Sequence, residues 1–390
     1  MVRYTFILGL LTTVGPIGTD LYLPAFPAIQ RDLSASAAEL QLSLVSYFVA
    51  TAVGQLIYGP VADRYGRRLP LLIGFTIALA ASVGAALASS IDMLICWRFL
   101  QALGASSGMV VARSIARDLG RGPQVARLFS MMALVLGVSP ILAPSLGAAL
   151  LTKFPWHSTF WCLAAISAAC LLSICFALRE TLALPNRSNN LAAAFVVYRR
   201  LLTNRAYLRT VLTGGCALAG FFAYIAGSPD VFFGLHHLSA GQYSLLFGLN
   251  SVALIGASQL LVPLMARASL ECLVSAVTAV YAMLALALLG ATLTGVDSLA
   301  VTTMLFFLMN ACMGLMFPLI SMQAVEHHPD AAGAASALMG ATQFAFGALA
   351  SAGMSAMSDG SGLPLATTIA TCALLAAAMN YLARPRHIGG

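Results

Sequence analysis

Residues 69–90 read LPLLIGFTIALAASVGAALASS and carry no charged side chain. A helix that crosses the hydrocarbon core of a bilayer needs about 20 such residues, so this stretch predicts a membrane-spanning helix. It follows directly on Arg67 and Arg68, which mark one membrane edge. Stretches of the same kind recur along the whole chain, and we place spans near 4–28, 40–60, 69–90, 92–115, 127–151, 159–178, 210–229, 243–264, 270–291, 298–321, 332–356 and 363–382.

The composition supports this interpretation. Of the 390 residues, 60% are apolar and only 8% are charged, whereas a soluble domain carries about 25% charged residues. This excludes a cytosolic enzyme, a disordered protein and a disulfide-rich secreted module. Because unpaired backbone groups are costly in lipid, we expect the spans to be helices. The sequence therefore predicts an all-α polytopic membrane protein with twelve transmembrane helices.

The longest polar stretch, about 179–209, separates six spans from six. Its second part, LAAAFVVYRRLLTNRAYLR (191–209), mixes apolar and basic residues at roughly helical spacing, which predicts an interfacial helix. We expect an N-terminal six-helix lobe over 1–180, a cytoplasmic linker with this helix over 181–209, and a C-terminal six-helix lobe over 210–390. Six plus six spans is the layout of a two-lobed transporter.

The basic residues predict the orientation. If both termini are cytoplasmic, only Arg31 and Lys153 lie outside and Arg98 lies within span 4, while the other basic residues are all cytoplasmic. The net charge of +7 is then a topology signal, and we expect no nucleic-acid partner because the basic residues form no continuous patch. We expect a monomer in the lipid bilayer.

The loop between spans 2 and 3 reads GPVADRYGRR (59–68). Gly59 and Gly66 permit a tight reversal, and Asp63 can accept from a helix N-terminus or pair with Arg64 or Arg67. This predicts a cytoplasmic latch between two lobes; the alternative is a basic turn that only fixes topology. The positive start of span 11, beside Asp330, is the expected partner of Asp63.

Asp20 lies within span 1, about 10 Å below the outer surface at about 1.5 Å per residue. An ionised Asp at that depth costs on the order of 3 kcal/mol, so we expect it to face a cavity and to carry a proton. The alternative is a structural acid bonded to a neighbouring helix. Arg98 in span 4 lies at a similar depth and is expected to tune Asp20 by pairing with it; the alternative is a brace bonded to backbone carbonyls.

Two further sets of residues are candidates. Span 5 contains glycines and prolines that can bend the helix, so we expect it to act in gating at a rocking interface. The alternative is ordinary helix packing. The gating candidates in this span are Gly137, Pro140, Pro144 and Gly147. Substrate binding is expected of Asp20 together with polar and aromatic residues of apolar spans, each of which can equally be packing; these are Tyr22, Tyr47, Phe222, Tyr224, Asn250, Asn310 and Gln343.

Other features carry no predicted role. We expect Asp230 to be a solvated loop residue, because Pro229 should end the helix before it. The GxSxG pattern at 104–108 lies within a spanning helix rather than after a strand, so no enzyme activity is expected. The histidine pairs 236–237 and 327–328 lack metal-ligand spacing, and neither a metal nor a cofactor is expected.

Four segments resemble a known family. GPVADRYGRR (59–68) is similar to the loop 2–3 signature of the major facilitator superfamily. GTDLYLPAFP (18–27) resembles the span-1 signature of the Bcr/CflA drug-resistance transporters. RFLQALG (98–104) resembles the span-4 motif of proton-coupled exporters, and GVSPILAPSLG (137–147) the span-5 antiporter motif. Loop 8–9 (264–271) departs from the pattern, so the resemblance does not extend to a second latch there.

The resemblance implies the major facilitator fold and a bacterial inner-membrane location. With no GxxxxGK[ST] motif, the ion gradient is the expected energy source. We predict proton-coupled efflux of small amphipathic organic compounds by alternating access. By resemblance, the substrates are bicyclomycin- or phenicol-type antibiotics. The alternatives are a metabolite carrier for nucleosides or amino acids with the same fold, and a non-transporting receptor or channel.

Overall fold

The computed structural model describes residues 2–119, 123–187, 191–326, 328 and 331–382. Helices make up nearly all of this part of the chain, and it contains no β-strand. The first half forms α1 (Val2–Asp20), a 3₁₀ turn (Leu23–Ala25), α2 (Phe26–Asp32), α3 (Ala37–Tyr65), α4 (Arg68–Ala86), α5 (Ile91–Asp118), α6 (Pro123–Leu151) and α7 (His157–Ala177). A 3₁₀ turn (Leu184–Asn186) and α8 (Leu191–Thr203) follow. The second half forms α9 (Arg205–Pro229), a π turn (Asp230–Leu235), α10 (Ala240–Gln259), α11 (Leu261–Met265), α12 (Leu270–Leu293), α13 (Leu299–Glu326), α14 (Ala332–Ala356) and α15 (Leu363–Leu382).

The lengths of these helices fit a bilayer. Among the described residues, 11 helical segments are long and apolar enough to cross a membrane, and the shortest of them have 19 residues. Nineteen residues extend over roughly 28 Å at 1.5 Å each, close to the thickness of the hydrocarbon core. Gly137–Leu151 within α6 is a further, shorter apolar helix. The predicted all-α, multi-pass membrane fold is confirmed.

The helix boundaries follow from local sequence. Ser36 caps α3: its hydroxyl accepts from the N–H of Glu39, and the Glu39 carboxylate accepts from the N–H of Ser36. Ser90 caps α5 through the N–H of Met93 in the same way. At the other end of α3, Gly66 has a φ of +93°, a left-handed conformation that favours glycine and lets the chain reverse into α4.

The chain divides into two compact units. One contains Met1–Phe195 and Ser228–Leu249, and the other contains Val196–Gly227 and Asn250–Gly390. The first unit therefore includes the end of α9, the π turn and the first half of α10. The expected boundaries at 181–209 stay a prediction, and the predicted interfacial helix corresponds to α8.

The first unit has two ends, which we name after Arg67 and Trp156. At the Arg67 end, Arg67 contacts Asp118. At the Trp156 end, the indole N–H of Trp156 donates to Asp32 at 2.8 Å. Helix α3 runs from the Trp156 end to the Arg67 end, so Gln41 lies near its start and Asp63 near its finish.

Close backbone approach holds the first unit together. A Cβ at Gly108 would lie 2.2 Å from the carbonyl oxygen of Leu11, and one at Gly104 would lie 2.4 Å from that of Gly74. Helices in lipid associate by such small-residue contacts, since burial against lipid tails gains little. The GxSxG pattern at 104–108 is thus packing surface of α5, and the hydroxyl of Ser106 donates to the carbonyl of Leu103 at 2.7 Å.

The expectation for Asp230 is wrong. The chain does not leave the helix at Pro229; it continues into a π turn over Asp230–Leu235, so Asp230 is half-buried rather than solvated. Proline removes one backbone hydrogen bond, and a wider i→i+5 turn accommodates the change without ending the helix.

Candidate functional site

Asp20 is the last residue of α1 and is only 3% exposed. The hydroxyl oxygen of Thr19 lies 3.1 Å from its Oδ1 and 2.7 Å from the carbonyl oxygen of Pro16. Among the described residues, no basic side chain forms an ion pair with Asp20. The structure therefore encloses a carboxyl group that has no cationic partner.

Arg98 on α5 is fully buried. Its Nη1 donates to the carbonyl of Gly18 at 2.7 Å and to Oε1 of Gln101 at 2.6 Å. Gln101 in turn donates to the hydroxyl of Ser82 on α4 at 2.7 Å. The direct Asp20–Arg98 pair that the sequence suggested is absent from the described part, because the guanidinium bonds the α1 backbone two residues before Asp20.

Aromatic rings surround the guanidinium. Its carbon lies 4.3 Å from the ring centre of Tyr47, 4.7 Å from that of Tyr22 and 5.9 Å from that of Phe160, distances at which a cation is attracted by the ring face. Within the described chain, Nε and Nη2 of Arg98 have no hydrogen-bond partner. The guanidinium thus keeps buried N–H donors that its bonds to Gly18 and Gln101 do not use.

Tyr22 and Tyr47 lie in this cluster, and their hydroxyls have partners. The Tyr22 hydroxyl lies 2.5 Å from that of Ser43, and the Tyr47 hydroxyl donates to the carbonyl of Gly15 at 2.8 Å. A Cβ at Gly18 would lie 2.4 Å from the Tyr47 hydroxyl. The absence of a side chain at Gly18 therefore permits both the Tyr47 contact and the Arg98 bond.

Helix α6 packs against the turn that follows Asp20. A Cβ at Gly147 would lie 2.3 Å from the carbonyl oxygen of Leu21. The helix continues through Pro140 and Pro144, and the carbonyl of Pro144 accepts from the hydroxyl of Ser244 at 2.9 Å. Gly137 is half-buried on the same helix.

The Arg67 end carries the predicted latch residues. Arg67 bonds Asp63 through Nη1, and it holds Asp118 with two bonds, Nε at 2.7 Å and Nη2 at 3.3 Å. Such a bidentate pair is geometrically specific. Arg64 instead lies over the ring of Tyr65, 5.4 Å from its centre.

Glu180 completes this end. Its carboxylate accepts from the backbone N–H groups of Arg67 and Arg68 at the start of α4, at 2.9 and 3.2 Å. Partial burial alone would raise the pKa of Glu180, but these bonds and those from Thr181 and Leu182 together lower it. A Cβ at Gly66 would lie 2.4 Å from its Oε2, so Gly66 is needed for both the turn and the bond.

The predicted role of Gly59 in the chain reversal is wrong. Gly59 does not form the reversal, because α3 continues through Pro60 to Tyr65, and a Cβ at Gly59 would meet only Val110 at 4.0 Å. Asp330, the expected neighbour of Asp63, lies outside the described residues.

The second unit brings together two of the predicted binding residues, Tyr224 and Asn250. The amide of Asn250 donates to the hydroxyl of Tyr224 at 2.9 Å, and the Tyr224 ring lies 4.8 Å from that of Phe306. Asn310 donates to the Phe306 carbonyl at 2.8 Å. In this part of the structure, Oδ1 of Asn250 is buried without a partner.

Phe222 and Gln343 lie elsewhere in that unit. Phe222 packs on Phe344 of α14, 4.9 Å between ring centres, and a Cβ at Gly347 would lie 2.5 Å from its ring. Gln343 on the same helix is 7% exposed. Phe222 thus belongs to an aromatic contact between α9 and α14, and Gln343 directly precedes Phe344 on α14.

Comparison with known proteins agrees with this architecture. The family model described as Major Facilitator Superfamily matches residues 8–352. The chain belongs to this superfamily.

Its relatives carry the resemblance further. The chain is 36% identical over 350 residues to the MFS-type transporter YdgK of Bacillus subtilis, covering 89% of this chain and 87% of that one. It is 26% identical to a bicyclomycin resistance protein homolog of Haemophilus influenzae, covering 98% and 96%. It is 32% identical to the multidrug resistance protein MdtL of Escherichia fergusonii, covering 64% and 63%. These relatives confirm the likeness to Bcr/CflA transporters.

Solved transporters of the superfamily share the fold. A D-xylose–proton symporter superposes with a TM-score of 0.77 at 15% identity, covering 100% of this chain and 99% of that one. The nucleoside transporter NupG superposes with a TM-score of 0.72 at 14% identity, covering 97% and 98%. At 14–15% identity, these likenesses show a shared fold.

Sequence reasoning missed Asp118, Glu180 and the contact of Asp230 with Gln41. The Nε2 of Gln41 donates to Oδ2 of Asp230 although 189 positions separate the two residues. The signal for Asp118 and Glu180 was available: both acids lie at span ends on the same side as the latch loop. No local pattern pointed to Gln41.

Proposed function

We propose that this superfamily member exports small amphipathic organic compounds in exchange for protons, by alternating access. Asp20 is the proton-binding residue in this proposal. The Arg67 end, with Asp63, Asp118 and Glu180, is the cytoplasmic latch. The observation that supports the proposal best is the buried carboxyl of Asp20, which has no ion pair among the described residues.

The contacts of Asp20 fit a carboxyl group that carries a proton. The hydroxyl of Thr19 has a single proton, and the Pro16 carbonyl at 2.7 Å is the nearer of its two acceptors. With that proton engaged, the 3.1 Å contact to Asp20 is attractive when the carboxyl donates its own proton to the Thr19 oxygen. An ionised Asp at this depth would instead cost on the order of 3 kcal/mol.

We propose a positioning role for Arg98. By bonding the Gly18 carbonyl, it fixes the segment of α1 that carries Asp20. The N–H groups of its Nε and Nη2 can stabilise the Asp20 carboxylate once the proton has left and the segment has moved. Proton loss and a change of conformation are then linked through one side chain.

The proposed substrates follow from the binding residues and from the relatives. Aromatic rings with a few amides suit an uncharged or weakly polar compound, and both Tyr22 with Tyr47 and Tyr224 with Asn250 offer this chemistry. Relatives named for bicyclomycin and multidrug resistance support antibiotic-like compounds of the bicyclomycin or phenicol type.

The proposed setting is the bacterial inner membrane, with the Arg67 end and both termini on the cytoplasmic side and the chain acting as a monomer. One proton that crosses with a potential of 100 mV supplies about 2.3 kcal/mol. By the ratio of tenfold per 1.4 kcal/mol, this can sustain a gradient of roughly fifty-fold.

The test is pH-gradient-driven transport in proteoliposomes that contain the purified protein. A panel of phenicols, bicyclomycin, nucleosides and amino acids is offered, and saturable, substrate-evoked proton movement is measured. We expect the native protein to respond to an antibiotic and Asp20→Asn to lose the response. The control is Asp32→Asn, which removes a carboxylate that bonds Trp156 at the same end of the unit.

Three results would count against the proposal. Retained gradient-driven efflux in Asp20→Asn removes Asp20 as the proton carrier. A response to nucleosides or amino acids alone favours the metabolite carrier, and a current that does not saturate favours a channel.

A further inference from the structure

Asp230 opens the π turn, and its carboxylate oxygen Oδ2 accepts from Nε2 of Gln41. Gln41 lies on α3 and is 2% exposed, and Asp230 is half-buried. Both belong to the same compact unit. This pair joins the turn after α9 to the start of α3.

The other half of the Gln41 amide is unsatisfied. Its Oε1 is buried and has no hydrogen-bond partner within the described chain. A buried acceptor without a partner destabilises the fold, because the acceptor has lost its bonds to water. Because Oε1 is an acceptor, its missing partner is a hydrogen-bond donor. The Asp230 carboxyl group, which Nε2 of the same amide already contacts, is the neighbouring group that can provide one.

A protonated Asp230 supplies that donor. An ionised carboxylate has only acceptors, whereas a carboxylic acid presents one O–H donor and one C=O acceptor side by side. A primary amide presents the complementary N–H and C=O. The acid form can thus accept from Nε2 through Oδ2 and donate from Oδ1 to Oε1 of Gln41, which closes a ring of two hydrogen bonds.

Among the described residues, no basic side chain forms an ion pair with Asp230. On α3, the nearby Glu39 carboxylate is engaged by the N–H and hydroxyl of Ser36. On α10, Tyr243 is bonded to the hydroxyl of Ser228 at 3.0 Å. His236 and His237 directly follow the π turn that Asp230 opens.

We propose that Asp230 is a second proton-binding residue, and that the proton it takes up fastens the π turn onto Gln41. The proton comes from water, binds Oδ1 and leaves to water when the pair separates, so no other reactant is needed. Its part in transport rests on the proposed proton exchange, but proton binding by Asp230 does not. A second contact, from Ser244 to the Pro144 carbonyl, contains no titratable group and holds α10 at any pH.

Infrared difference spectroscopy on the purified protein tests proton binding directly. The pH is stepped, and the C=O stretch of protonated carboxyl groups is recorded. We expect a band that is absent from Asp230→Asn. In Gln41→Leu the band should move to higher frequency, because the carbonyl loses the N–H that weakens its C=O bond. Asp32→Asn is the matched control and should keep the band.

Asp20→Asn separates this inference from the proposed function. If Asp20→Asn loses efflux but keeps the Asp230 band, the result supports both proton transport by Asp20 and proton binding by Asp230. If Asp20→Asn keeps both efflux and the band, only the role of Asp20 is refuted. A spectrum of Asp230→Asn that equals that of the native protein would overturn the inference, and so would a band that Gln41→Leu leaves unmoved.

Hydrogen exchange provides the second measurement. The reporters are two backbone N–H groups that follow the turn and bond its carbonyls. That of His236 donates to the carbonyl of Val231 at 3.0 Å, and that of Leu238 donates to the carbonyl of Phe232 at 2.9 Å. After correction for intrinsic rates, protection should fall as the pH rises in the native protein. Asp230→Asn should stay protected throughout, because its amide pairs with Gln41 at every pH. The same pH dependence in both proteins would refute the fastening.

Discussion

Gly147→Ala probes the contact between α6 and the turn after Asp20. The new Cβ would lie 2.3 Å from the Leu21 carbonyl oxygen and 3.4 Å from Cγ of Pro24. Non-bonded heavy atoms prefer about 3.5 Å or more, so one backbone must move by roughly 1 Å. The oxygen belongs to the main chain and cannot rotate away as a side chain would. Because Leu21 follows Asp20 directly, the displacement reaches the carboxyl group.

The magnitude follows from two opposing effects. Overpacking costs about 1–3 kcal/mol, and replacing a helical glycine by alanine returns up to about 1 kcal/mol. We expect a net loss of about 1–2 kcal/mol, which lowers the apparent unfolding midpoint by about 2–8 °C at 2–4 °C per kcal/mol. The rate of pH-driven transport should fall further than stability alone explains.

The assay compares thermal unfolding in detergent with the initial transport rate at equal reconstitution. Gly256→Ala on α10 is the matched control, because a Cβ there meets no atom within 4 Å. It should keep the native transport rate, and its unfolding midpoint should stay level or rise, since alanine in place of a helical glycine gains up to about 1 kcal/mol. If Gly147→Ala has the native midpoint and the native rate, α6 does not press on the Leu21 carbonyl and the reasoning fails.

Two predictions concern the Arg67 end. The pKa of Glu180 in the folded protein lies below its ordinary value of 4.5. Its hydrogen bonds to backbone N–H groups therefore stabilise the fold fully above pH 4.5, and this stabilisation is lost as the pH falls through the lowered pKa. Glu180→Gln should therefore be less stable than the native protein at neutral pH and lose less stability on acidification in pH-dependent thermal unfolding; parallel profiles would contradict this. Gly66→Ala should destabilise by about 1–2 kcal/mol, since φ is +93° and the Cβ would meet Glu180. Gly353→Ala, which meets nothing within 4 Å, is its control in the same measurement, and equal midpoints would show that the turn tolerates a side chain.

Several features could be predicted from the sequence because they depend on composition or on local order. Uncharged stretches such as 69–90 predict spanning helices, since the bilayer leaves the backbone no other way to satisfy its hydrogen bonds. The burial of Asp20 and Arg98 followed from their depth within spans. The pairing of these two residues did not, because the direction of a long side chain depends on the helix it meets, and Arg98 meets the Gly18 carbonyl.

The sequence did not determine which distant residues pair, although the position of Asp118 and Glu180 at span ends was a signal for the latch. Asp118 and Glu180 join Arg67 from 51 and 113 positions away, and Gln41 meets Asp230 from 189 positions away. The prediction of a solvated Asp230 was wrong because it rests on the local rule that proline ends a helix. In the folded chain, a π turn follows Pro229 directly and holds Asp230 half-buried.

The amino-acid order alone determined that this chain is a bundle of membrane-crossing helices, that it belongs among two-lobed carriers, and that acidic and basic groups are buried within it. It did so because solvent exclusion acts on each segment separately. Only the folded chain decided which buried group faces which, since partners are selected where helices from remote parts of the chain approach within a few ångströms.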